Sequence, residues 1–167
     1  MLSYRHGFHA GGPADVLKHA VLCFVLDYVL RKPKPVYVLD THAGAGVYSL
    51  RAEMAQKTGE WQRGIARLFD WADPPALLQP YMRLIASVRD ELVYPGSPEL
   101  ARRLLRPQDR LGLAELHPTD HALLAGRLGG QARIRVARTD GLALMVSRMP
   151  PPERRAVVIV DPRYELA

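Results

Sequence analysis

Cysteine is almost absent: Cys23 is the only one in 167 residues, so no internal disulfide can form. Long apolar runs are missing too. The longest stretch, Ala20 to Leu30, is interrupted by Asp27 and is too short to cross a bilayer, which excludes a membrane-spanning role. The opening Met1-Leu2-Ser3-Tyr4-Arg5-His6 lacks the apolar core of a signal peptide, and a reducing cytoplasm is the expectation. There is no internal repeat. Acidic residues are in deficit, 17 against 23 Lys+Arg, for a net charge of +6. The excess lies mostly beyond residue 100, which suits a polyanionic partner such as nucleic acid. With 48% hydrophobic and 24% charged residues, the chain has the composition of one globular domain with a sizeable core.

Apolar residues at Val16, Leu17, Ala20, Val21, Phe24, Val25, Tyr28 and Val29 recur at helical spacing behind Gly12-Pro13, predicting a helix from about Pro13 to Leu30. Lys32-Pro33-Lys34-Pro35 must end it. Val36-Tyr37-Val38-Leu39 is then a short, continuously apolar run of the kind found in strands covered on both faces. Similar runs at Leu111–Leu116, Ile134–Ala137 and Ala156–Val160 are separated by helix-length stretches, which predicts an α/β fold with a parallel sheet. Between the first two strands lie roughly seventy residues, against the dozen or so that a crossover needs. That interval must hold an insertion, with helices over Glu60–Trp71, Ala76–Leu92 and Glu99–Leu105 and a turn at Tyr94-Pro95-Gly96-Ser97-Pro98. Pro150-Pro151-Pro152 reads as a stiff connector before the last strand.

Open parallel sheets bind ligands beyond the carboxyl ends of their strands. The first strand leads into Asp40-Thr41-His42-Ala43-Gly44-Ala45-Gly46, where two glycines allow close backbone approach. The second ends at Glu115, suited to accept from ribose hydroxyls. The third leads to Asp140-Gly141, suited to contact an adenine, and the fourth to Asp161-Pro162-Arg163-Tyr164. Singly, each has a bland reading as a tight turn or helix cap. Together, in order along one edge, they predict a nucleoside-containing cofactor. The loop after the first strand lacks the third glycine that packs a helix against a pyrophosphate-binding turn, which favours S-adenosylmethionine over NAD.

These segments carry a resemblance. Met1 to Gly11, Ala14-Asp15-Val16-Leu17-Lys18-His19, Leu39 to Gly46, Tyr94 to Pro98, Glu115-Leu116-His117-Pro118 and Asp140-Gly141 closely resemble the RlmJ family of bacterial 23S ribosomal RNA adenine-N6 methyltransferases. The resemblance implies a Rossmann-like class I methyltransferase sheet with a helical insertion at about residues 52–108. It also implies S-adenosyl-L-methionine as cofactor and 23S ribosomal RNA as partner, with a monomer favoured. By matching motif it places His19, His42, Gly44, Gly46, Ser97, Glu115, Asp140, Gly141 and Asp161 at the cofactor. Asp161, Pro162 and Tyr164 would be catalytic, and Tyr4 and Lys18 would lie at the RNA.

Two departures accompany the resemblance. The family motif is Asp-Pro-Pro-Tyr, and Arg163 stands in place of its second proline. The chain also stops at Ala167, where relatives continue through further strands, so residues 1–167 read as an incomplete, N-terminal methyltransferase domain. The alternatives are a catalytically inactive RNA- or cofactor-binding fragment and, from His6, His9, His19 and His42 with Asp15 and Asp40, a metal-dependent hydrolase. The histidine spacings fit no standard zinc pattern, so no metal is expected. Cys23 reads as a small buried residue, and Arg102, Arg103 and Arg106 as a solvated helix face.

Overall fold

The computed structural model describes residues 6–162. In chain order the strands are β1 (Tyr37–Asp40), β2 (Val47–Ser49), β3 (Val93–Pro95), β4 (Arg110–Ala114), β5 (Ile134–Ala137) and β6 (Ala156–Ile159). The helices are α1 (Pro13–Leu30), α2 (Glu53–Thr58), α3 (Glu60–Arg63), α4 (Gln79–Leu84), α5 (Val88–Glu91), α6 (Ser97–Leu104), α7 (Pro118–Leu128) and α8 (Gly141–Arg148). They fall into two compact units: the chain up to Arg31 with Gly46–Leu104, and Lys32–Ala45 with the chain from Leu105 onward.

The second unit is an α/β sheet in the order β5-β4-β1-β6, with every neighbouring pair parallel. β1 is central, and all four of its residues are buried, as the apolar run over its first three residues requires; the fourth, Asp40, is a buried carboxylate. Gly112 in β4 leaves room for the Tyr37 side chain of the neighbouring strand, whose Oη would lie 2.1 Å from a Cβ there and would have to move. The loops entering β1 and β4 are joined by Asp109, which is fully buried. Its Oδ1 accepts from Val36 N at 3.0 Å and its Oδ2 from Arg106 N at 2.9 Å. Arg106 returns to Asp109 and donates to the carbonyls of Lys32 and Lys34 at 2.7 and 3.0 Å. Its expected role as a solvated side chain is therefore corrected: it clamps the chain into β1.

The first unit is mainly helical. α1 forms over the expected residues, with Pro13 in its first turn and the Pro33 and Pro35 segment beyond its end. It packs on α4 and α6 through Ala20, Leu22, Cys23 and Leu26, while Leu17, Val21, Phe24 and Tyr28 are exposed. The expected helix over Glu60–Trp71 is broken: α3 stops at Gly64, and a 3-10 turn follows over Ile65–Leu68. The cause is a backbone crossing, for a Cβ on Gly64 would lie 2.1 Å from Gly11 O, and Ile65 N donates to that same carbonyl at 2.8 Å. The expected Ala76–Leu92 helix is likewise divided into a 3-10 turn at Ala76–Leu78, then α4 and α5. The expected turn at Tyr94–Pro98 is instead the end of β3 followed directly by α6. β3 pairs antiparallel with β2, and Gly96 N donates to Gly46 O at 2.9 Å. Arg102 and Arg103 both bind Glu99 rather than forming a solvated face, at 2.7 Å in each case.

Candidate functional site

The sheet unit gathers His42, Gly44, Glu115, Asp140, Gly141 and Asp161 at the carboxyl ends of its four parallel strands, in the places expected of them. After β1 the chain is held tightly. Thr41 N and Thr41 Oγ1 both donate to Ile159 O, at 3.0 and 2.9 Å, which locks the start of the glycine loop to the end of β6. The Thr41 hydroxyl spends its one proton there, so the 2.8 Å contact with His42 Nδ1 is an N–H donation to Oγ1. A neutral His42 ring then presents Nε2 as an acceptor. Asp40 is fully buried and its Oδ1 accepts from His42 N at 3.1 Å.

Gly44 and Gly46 adopt φ of +63° and +81°, a conformation that side chains with a Cβ rarely enter. Glu115 holds this loop from the next strand. One carboxylate oxygen accepts from Gly44 N and the other from His117 N, both at 2.7 Å. Each oxygen keeps a second lone pair for a hydroxyl. Asp140 caps α8, its Oδ1 accepting from Ala143 N at 2.8 Å. Gly141 is required by contact, since a Cβ there would lie 1.9 Å from Thr41 O. The bland reading of Asp140 as a helix cap is thus realised in the fold. Asp161 is exposed and Pro162 half-buried beyond β6. Arg163 and Tyr164 of the same motif, and Tyr4, lie outside the described residues.

The helical unit carries Lys18, His19, Gly46 and Ser97. Ser97 is buried at the first position of α6. Asp15, also buried, organises the start of α1: it accepts from His6 Nε2 at 2.8 Å and Gly11 N at 3.1 Å, and pairs with Lys18 Nζ at 2.9 Å. Burial opposes its ionisation. The hydrogen bond from His6 and the charges of His6, His19 and Lys18 outweigh that cost and hold the Asp15 carboxyl well below the usual carboxylate range. His19 is 1% exposed, with Nδ1 2.7 Å from Tyr94 Oη, and Tyr94 Oη is 3.0 Å from Tyr81 Oη. Sequence reasoning assigned Asp15 no role beyond the metal alternative and singled out neither tyrosine. The i,i+3 spacing of Asp15 and Lys18 was the available signal for the first; nothing local marks Tyr81. Among the described residues, no group of three or more His, Cys, Asp or Glu side chains is gathered to hold a metal ion, and no helix is long and apolar enough to cross a membrane.

A parallel sheet with this glycine loop and these acidic strand ends defines a Rossmann-like fold of the methyltransferase type. The profile of the family described as "RsmJ: Ribosomal RNA large subunit methyltransferase D, RlmJ" matches residues 33–167, and the chain belongs to that family. Two proteins named "Ribosomal RNA large subunit methyltransferase J" are similar to it. The one from Escherichia coli (strain K12) is 46% identical over 169 residues, and the one from Haemophilus influenzae (strain ATCC 51907 / DSM 11121 / KW20 / Rd) is 42% identical over 170. Each match covers 99% of this chain and 60% of the relative, so the chain spans about three fifths of the length of these relatives and corresponds to their N-terminal part. A crystal structure of a protein from Legionella pneumophila str. Philadelphia 1 is similar with a TM-score of 0.85 and 38% identity, over 95% of this chain and 59% of that one. Methyltransferase membership implies a methyl donor.

Proposed function

We propose that this chain is part of an S-adenosylmethionine-dependent enzyme that methylates the N6 of an adenine in 23S ribosomal RNA, in the cytoplasm where that RNA is assembled. The observation that carries the reading is the adjacency of β1 and β6. The glycine loop leaves one strand, Asp161-Pro162 leaves its direct neighbour, and Thr41 ties the two ends together. A cofactor and a substrate base aligned along that edge would meet there.

The residues present suit this cofactor. The two left-handed glycines leave a floor that a Cβ would fill, and Glu115 and Asp140 supply carboxylate acceptors for hydroxyl and amino groups. His19, His42, Ser97 and Gly141 complete the proposed cofactor set. When bound, S-adenosylmethionine supplies an electrophilic methyl on sulfur. The task left to the chain is to prepare the adenine amine, whose lone pair is delocalised into the ring. Asp161 accepts one N–H and the Pro162 carbonyl the other, which favours a pyramidal nitrogen aimed at the methyl group; Tyr164 stacks on the extruded base. Lys18 and Tyr4 are proposed RNA contacts, and residues of about 52–108 a helical insertion in the methyltransferase domain.

One departure favours a second reading, a chain that binds cofactor without turnover: Arg163 replaces the proline that restrains Pro162 in the family motif. Calorimetry with S-adenosylhomocysteine and tritium transfer from labelled S-adenosylmethionine to unmodified ribosomal RNA separate the two. Binding is expected for the wild type and is expected to vanish in Gly46→Val, while NAD and ATP do not compete. Methyl transfer abolished by Asp161→Ala with binding retained supports the enzyme; binding without transfer supports the second reading. Equal binding by folded wild type and Gly46→Val sinks the cofactor assignment.

A further inference from the structure

Each strand of the parallel sheet is entered through basic residues, on an edge that the proposed chemistry does not use. β5 follows Arg133, β4 opens on Arg110, β1 is preceded by Lys32 and Lys34, and β6 by Arg154 and Arg155. The loops entering these strands hold two acidic residues, Asp109 and Glu153. Both are spent: Asp109 is buried against Arg106 and Val36 N, and Glu153 pairs with Arg110. Arg133 and Arg155 bind neutral carbonyls, the first those of Leu105 and Arg106 at 2.8 Å and the second that of Lys34 at 2.6 Å, and these bonds leave a guanidinium its charge. Beyond the carboxyl ends of the same strands stand Glu115, Asp140 and Asp161, whose charge repels phosphate.

Three of the cations at the amino ends have no structural duty. Lys32, Lys34 and Arg154 are exposed, and among the described residues no ion pair or hydrogen bond holds their side chains. They share one place, because β1 and β6 are neighbours and the Arg155 bond to Lys34 O ties the two entering loops together. Arg154 also carries a conformational cost. Its N–H returns to Pro151 O at 2.9 Å in a tight turn, with φ of +53°, a left-handed conformation that glycine enters freely and a residue with a Cβ enters at a cost. Stability alone would be served by glycine there; arginine keeps a cation on the loop. We propose that Lys32, Lys34 and Arg154 form a phosphate-binding face that holds the ribosomal RNA by its backbone, away from the nucleotide that reacts, a role that rests on the RNA partner proposed above. Such a face reads no bases, since contacts to phosphate fix position and register rather than sequence.

Filter binding of unmodified 23S ribosomal RNA over a salt series tests this face on the whole chain. The triple variant Lys32→Gln, Lys34→Gln, Arg154→Gln is expected to weaken binding roughly tenfold or more at about 0.1 M salt and to make the log–log slope shallower by about 2, three phosphates at about 0.7 each. Calorimetry with S-adenosylhomocysteine is expected to give this variant the wild-type affinity. Arg154→Gly separates charge from fold: its melting temperature is expected to equal or exceed that of the wild type while the slope becomes shallower by about 0.7. Should the triple variant fail to fold, Arg154→Gly alone decides. RNA binding with unchanged slope in the folded variants overturns the proposal and leaves the RNA partner standing, whereas absence of RNA binding by the wild type overturns both. Parallel loss of RNA and S-adenosylhomocysteine in the triple variant would make the three residues structural and overturns the proposal as well. Poly-glutamate bound by the wild type and released by the triple variant, with RNA binding intact, overturns it in favour of an acidic protein partner.

Discussion

Asp15 shows how much a single buried carboxylate organises. It satisfies Gly11 N, the His6 ring and the Lys18 ammonium at once, and it remains ionised because those partners together outweigh its desolvation. Its folded pKa is depressed below the unfolded value of about 3.9. The stability it contributes is therefore fully present above that value and is lost as pH falls through the folded pKa. Asp15→Asn is expected to lower the melting temperature at neutral pH and to flatten the acid limb, with the gap between wild type and variant closing below about pH 4. Thermal melts across pH check this, and a gap that stays constant into acid would exclude the linkage. At the same scale, Glu115 and Gly141 combine a structural duty with the proposed ligand duty: one holds the glycine loop, the other admits the Thr41 backbone.

Elements in this chain are short and are positioned by their junctions. β1 has four residues, and what holds its entry is the Asp109–Arg106 clamp on the carbonyls of Lys32 and Lys34 and on Val36 N. Asp109→Ala leaves a buried backbone N–H without its acceptor and frees the guanidinium, and it is expected to cost about 2–4 kcal/mol in denaturant unfolding. A loss under about 0.5 kcal/mol would mean that the strand entry is held by the sheet alone. The divided helices of the first unit follow the same logic. Residue 64, where α3 ends, has to be glycine because the Gly11–Gly12 backbone occupies the space that a Cβ there would need. Apolar periodicity cannot report such a crossing, which joins residues more than fifty positions apart in sequence.

For the whole molecule, charge is the property that bears on a polyanionic partner. A net charge of +6 is modest, and the arginines Arg102, Arg103, Arg106 and Arg110 are each held by a carboxylate of the chain itself. RNA binding is accordingly expected to involve few phosphates. Each neutralised phosphate contributes about −0.7 to the log–log salt slope on a single strand, so a slope of about −2 to −4 is expected. Lys18→Ala is expected to reduce it by about one contact. Fluorescence anisotropy over a salt series measures both, and a flat dependence would reduce the positive charge to a solubility device.

From sequence alone, the extent of α1, the four parallel strands with their order along the chain, and the strand ends bearing Gly44, Glu115, Asp140 and Asp161 were all legible. These follow from local rules: apolar runs make strands, prolines end helices, and ligands meet a parallel sheet where its strands end. Tertiary structure alone decided which face of α1 is buried, because a helix apolar on nearly every side carries no local preference between them. It also decided the β2–β3 pairing, the break at Gly64 and the Tyr81–Tyr94–His19 file, each of which depends on residues distant in sequence meeting in space. Local chemistry specifies what a segment can be; the shape of its neighbours determines which of its groups face one another.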